Sequence, residues 1–81
     1  MENILIEVMG WTGSVLYLLA YALVSSKKLT GDSLVYQGLN IFAGILLVVY
    51  GFSKSASATV GLNATWIAIG VITLARKWIA K

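Results

Sequence analysis

Three primary amides, Gln37, Asn40 and Asn63, stand in stretches otherwise built largely of leucine, isoleucine, valine, alanine and glycine. A primary amide carries two N–H donors and a carbonyl acceptor, so in an apolar setting it must bond internally or bind something. Small, polar and aromatic residues recur around these amides in steps of three and four. One set is Gly10, Ser14, Tyr17 and Tyr21. A second is Ser33, Gln37, Asn40, Gly44, Leu47 and Gly51, and a third is Thr59, Asn63, Trp66, Gly70 and Thr73. Such steps put each set on one face of a helix. The chemistry on offer is recognition, by hydrogen bonds and ring surfaces. Bond-making chemistry lacks its parts. The chain has no histidine and no cysteine, and its only carboxylates are Glu2, Glu7 and Asp32, all near the ends of apolar runs. No nucleophile–base pair, metal-ligand set or phosphate-binding loop can be assembled from these residues. The chain is therefore not read as an enzyme, and neither a cofactor nor a metal is expected.

The elements that position these faces follow from the charges. Of 81 residues, 59% are apolar and 11% are charged, against about 45–50% and about 25% in an ordinary soluble domain. The nine charged residues leave three uncharged runs, Val8–Ser26, Ser33–Ser53 and Ser55–Ala75, of 19, 21 and 21 residues. A bilayer core about 30 Å thick is crossed by about 20 helical residues. The fold class expected is all-α: one domain over residues 1–81, a polytopic membrane protein whose three transmembrane helices span about 4–26, 33–52 and 57–78 and form a bundle. Met1–Asn3 is too short and too acidic for the start of a signal peptide, so the first run reads as a mature transmembrane helix. Lys27 and Lys28 close helix one, and cations suit a helix C-terminus. Gly31 supplies turn freedom, with Asp32 or Ser33 capping helix two and Ser55 or Ser57 capping helix three. Loops this short make successive helices antiparallel neighbours.

Basic residues set an orientation. The first loop and the C-terminus share one side and carry Lys27, Lys28, Arg76, Lys77 and Lys81; the other side carries Lys54. The expectation is a multi-pass protein of the plasma (inner) membrane, N-terminus outside and C-terminus cytoplasmic. Trp11 and Trp78 fall near opposite interfaces, where indole rings favour the headgroup region. The net charge of +3 flanks apolar segments instead of forming a clustered basic face, so no nucleic acid partner is expected. The expected partner is the lipid bilayer. For Gly10, Ser14, Gly44, Gly51, Gly70 and Thr73, close helix packing is the favoured role.

The three-helix size, the N-out topology, and Val49-Tyr50-Gly51-Phe52 followed by Asn63 resemble the PQ-loop superfamily, and within it the SemiSWEET sugar transporters. The likeness covers nearly the whole chain, from Gly10 through Thr30-Gly31-Asp32-Ser33 to Asn63. The segments Gly10-Trp11-Thr12-Gly13-Ser14, Leu18-Leu19-Ala20-Tyr21 and Gly61-Leu62-Asn63-Ala64-Thr65-Trp66 are closer still to uncharacterised small bacterial membrane proteins of this general class. The resemblance implies a half-transporter working as a parallel homodimer, with helix three packed between helices one and two. Substrate would bind on the two-fold axis near mid-membrane. Asn63 matches the family's substrate-binding asparagine, Tyr50 its gate tyrosine and Lys54 its basic gate residue. Other positions depart. The gate's acidic partner falls on Ala56, the Pro-Gln pair on Ala20-Tyr21, and the substrate-stacking tryptophan on Leu47; the chain has no proline. Trp66, one turn beyond Asn63, offers a replacement ring.

The expected function is a homodimeric transporter or facilitator for a small uncharged polar solute, sugars included, working by alternating access. The substrate set is Asn63, Trp66, Asn40, Tyr17, Tyr21 and Leu47, and the gate pair is Tyr50 and Lys54. No titratable carboxylate or histidine lies within the runs, so proton coupling is not expected. The alternative is a non-transporting structural, assembly or regulatory subunit in which the same faces serve only helix packing.

Overall fold

The computed structural model of the protein describes residues 4–80, and the side chains of 4–79. Expectations resting on Met1–Asn3 and Lys81 lie outside the described residues. Three helices form: α1 (Ile4–Ser25), α2 (Leu34–Ser53) and α3 (Ser57–Ala80). At about 1.5 Å per residue they are roughly 30–36 Å long. Each is long and apolar enough to cross a membrane.

The loops are made by local chemistry that differs in part from expectation. Ser33 caps α2, its Oγ accepting a hydrogen bond from the Tyr36 N–H at 3.0 Å. Neither Ser55 nor Ser57 caps α3. Ala56 holds that place, its carbonyl accepting from the Val60 N–H at 3.1 Å, and Ser57 is already helical. Helices α1 and α2 end in the same way. The Lys28 N–H bonds Leu23 O and the Lys27 N–H bonds Val24 O; the Ala56 N–H bonds Gly51 O and the Ser55 N–H bonds Phe52 O. These paired bonds are the Schellman closure, which needs a left-handed residue just past the cap. Lys27 (φ 66°) and Ser55 (φ 56°) take that conformation. Gly31 does not have a positive φ, so the turn freedom assigned to it is spent at Lys27 instead.

The packing order departs from the one the resemblance implies. Helix α2, not α3, lies in the middle: it packs against both others, while no Cα of α1 lies within 8 Å of a Cα of α3. Short loops favour this order, because each consecutive pair docks directly. Glycines make the docking close. The Tyr50 ring of α2 occupies the space where a Gly10 side chain would stand, and Leu47 does the same at Gly13. On the other flank Ile67 fills the notch at Gly44, Val60 that at Gly51, and Gln37 Oε1 together with Ile41 that at Gly70. Small residues that let backbones approach are the usual means of association between helices in lipid. Ser14 and Thr73 contribute otherwise. Their hydroxyls donate to Gly10 O and Ile69 O of their own helices, at 2.9 and 2.8 Å, and so need no partner across an interface.

The interior is correspondingly small and polar. Among the described residues, Ala20 and Ala43 are the buried apolar side chains and Gln37, Asn40 and Asn63 the buried polar ones, whereas Ile4, Leu18, Phe42, Leu62, Ile72 and many other large apolar side chains are exposed. That distribution reverses a water-soluble core. Trp11 and Trp78, near opposite ends, are exposed as well.

Ser55 holds a left-handed backbone that a side chain disfavours by about 1–2 kcal/mol. Ser55→Gly is expected to raise unfolding stability in detergent by about 1 kcal/mol. Ser55→Val is expected to lower it, since a β-branched residue fits this conformation worst. Denaturant titration of both variants checks the pair.

Candidate functional site

Because α1 and α3 stand apart on α2, a groove runs between them with α2 as its floor. It encloses about 370 Å³ and is lined by Tyr17 and Tyr21 from α1, Tyr36 and Asn40 from α2, and Leu62, Asn63 and Trp66 from α3. Helical spacing explains the convergence. Tyr17 and Tyr21 are one turn apart, as are Tyr36 and Asn40, and Asn63 and Trp66 are three apart. Five of the six residues expected to bind substrate therefore meet in one place: Tyr17, Tyr21, Asn40, Asn63 and Trp66.

Leu47 is the exception. It packs over Gly13 and lines a separate recess of about 190 Å³ with Gly10, Trp11, Ser14 and Tyr50. Two turns beyond Asn40, it has passed the Tyr17–Asn63 crossing and faces α1. Sequence reasoning missed Tyr36. The available signal was its position four residues before Asn40 at the start of helix two.

The amides differ in how far they are satisfied. Asn63 is 4% exposed. Its Oδ1 accepts from the Tyr17 hydroxyl at 2.6 Å, and its Nδ2 donates to Thr59 O at 2.9 Å. This bridge ties α1 to α3 although their backbones are apart. Gly44 makes room for it: a side chain there would meet the Tyr17 hydroxyl at 3.2 Å. Gln37, 8% exposed, donates from Nε2 to Gly31 O at 2.7 Å, fastening α2 to the first loop. Asn40 is 6% exposed and lines the groove, and among the described residues its side chain has no hydrogen-bond partner. Trp66 and Tyr21 are 43% and 68% exposed and form the rim.

The two residues expected to form a gate, Tyr50 and Lys54, stand elsewhere, at the end of the bundle where α1 begins and α2 finishes. Ala56 cannot supply an acidic partner for Lys54, but Glu7 does. Lys54 Nζ lies 2.6 Å from Glu7 Oε2, linking α1 to the end of α2. The Lys54 ammonium also stands 5.8 Å from the centre of the Tyr50 ring, within cation–π range. The hydrogen bond to Glu7, opposed by partial desolvation, raises the Lys54 pKa above the ordinary lysine value. Lys54 thus has an acidic partner after all, within its own chain. At the opposite end Lys77 Nζ donates to Asp32 O at 3.1 Å and lies 3.9 Å from Asp32 Oδ1, fastening α3 to the first loop.

Tyr17→Phe deletes the bridging proton and leaves Asn63 Oδ1 without it. Interhelical hydrogen bonds in lipid are worth about 0.6–2 kcal/mol, and stability should fall by that amount. Thermal unfolding in nanodiscs measures it; an unchanged transition would mean that the bridge carries no load. No curated protein and no solved structure matches the chain. A protein-family model does match it, over residues 6–81, and the chain belongs to that family, an uncharacterised one.

Proposed function

We propose that the chain is half of a homodimeric multi-pass membrane protein that passes a small uncharged polar solute by alternating access, as a transporter or facilitator. The observation that carries this reading is the groove. Tyr17, Tyr21, Asn40, Asn63 and Trp66 come from two different flanks and the floor of an otherwise apolar bundle, yet line one space. Three helices leave that space open along one side. A second, parallel copy across a two-fold axis would close it, and repeat-related halves around a midplane site are a common transporter plan. No described charged residue lines the groove, which favours an uncharged solute. The middle position of α2 limits the likeness to the SemiSWEET transporters. The reading rests on the groove and not on the resemblance.

The proposed setting is the plasma membrane, with the first loop on the cytoplasmic side, because Lys27, Lys28, Arg76 and Lys77 gather at that end. A second reading has its own support. Asn63 and Gln37 both use an amide in bonds internal to the chain, as they would in a structural or assembly subunit.

Uptake by proteoliposomes separates the two. The transport reading expects entry of a neutral polar solute that Asn63→Ala reduces at least tenfold while the variant still folds. Absence of uptake over a broad panel, with a partner protein copurifying in fixed ratio, would favour the subunit reading. Labelling of Ser55→Cys from outside intact cells is expected, and labelling only after lysis would reverse the orientation.

A further inference from the structure

Resting on the transport reading above, we propose that the groove selects a neutral planar solute whose edge carries a hydrogen-bond donor beside an acceptor, and that Asn40 reads this edge.

Asn40 is the buried polar group that the fold leaves unspent. It lines the groove at 6% exposure and has no hydrogen-bond partner among the described residues. A buried amide in that condition is costly and calls for a partner. Its neighbours are already committed in part. The Tyr17 proton goes to Asn63 Oδ1, and an Asn63 N–H goes to Thr59 O. Asn40 retains both its N–H donors and its carbonyl. A side-chain amide presents donor and acceptor side by side, which is the pattern that pairs bidentately with a complementary flat edge.

The walls decide what lies behind that edge. They are the rings of Tyr17, Tyr21, Tyr36 and Trp66 with the Leu62 side chain, and their surface is chiefly carbon. A flat solute sets its faces against such rings and keeps its polar atoms at the rim facing Asn40. A sugar ring can also lay a C–H face on such rings, but it carries hydroxyls around its whole edge. Those beyond the reach of Asn40 would lose water against the carbon walls without gaining a partner. The described charges stand at the helix ends, four of them joined in the pairs Glu7–Lys54 and Asp32–Lys77, and none lines the groove, so an ionic solute finds no counter-ion there.

The test uses the full chain in nanodiscs and three probes, with binding read by calorimetry and uptake read in proteoliposomes. The first, 2-pyridone, is flat, neutral and carries N–H beside C=O. The second, N-methyl-2-pyridone, keeps the ring and the carbonyl but lacks the donor. The third is glucose. Binding of 2-pyridone is expected to be about tenfold or more tighter than that of its N-methyl analogue. Asn40→Leu should abolish the difference without lowering the unfolding temperature. Trp66→Leu, at the partly exposed rim, should weaken both planar probes and leave the fold intact. Equal binding of the two pyridones would overturn the proposal. Glucose binding and uptake without 2-pyridone binding would also overturn it, while leaving transport standing. Failure of every probe to bind would overturn this proposal; the transport reading falls only if the broader uptake panel fails as well.

Discussion

The hydrogen bond between Tyr17 and Asn63 reconciles two features that otherwise conflict. Helices α1 and α3 keep their backbones apart, which opens the groove. They are nonetheless joined across it, because a tyrosine side chain is long enough to span the gap and an asparagine carbonyl can accept its proton at 2.6 Å. Shorter residues would require the helices to close, and apolar ones would leave them untied. The bridge also depends on α2. Gly44 lets the hydroxyl pass, while Thr59 O orients Asn63 by taking its N–H. Backbone approach on the flanks and a side-chain span over the floor are thus parts of one arrangement.

The ends of the bundle are fastened differently from its middle. Lys54 and Glu7 join α1 to the end of α2, with the Tyr50 ring seated at Gly10 beside them. Lys77 and Asp32 join α3 to the first loop at the opposite end, where Gln37 also holds Gly31. Exposed ion pairs contribute little each to stability. Their positions are more informative: each pair ties a different outer helix, so the two flanks of the groove are secured at opposite ends. Motion of α1 against α3 would therefore meet the Tyr17–Asn63 bridge as well as one of these pairs.

Much of this was legible in the sequence because charge and helical period are local signals. Charge positions placed three helices within a few residues of their ends, and steps of three and four brought Tyr17, Tyr21, Asn40, Asn63 and Trp66 to one groove. What the sequence hid depends on contacts between distant segments. Glu7 answers Lys54 from 47 positions away, and no spacing rule links them. Leu47 continues the period of Asn40 but lies past the bridge, where α1 covers it. The left-handed residues fell on Lys27 and Ser55, not Gly31, because the Schellman hydrogen bonds fix which position must turn. The middle place of α2 follows from which glycine notches are filled, and three similar small-residue stripes do not reveal that.

The central claim is that the groove between α1 and α3 is a wet passage for solute and not a seam for lipid or packing. The chain has no cysteine, so a single introduced thiol reports alone. Trp66 lines the groove, whereas Ile45, also near mid-helix, is exposed outside it. In intact bilayers a membrane-impermeant, water-soluble thiol reagent should label Trp66→Cys and leave Ile45→Cys unlabelled. Protection of both positions would contradict the account and make the groove a dry interface.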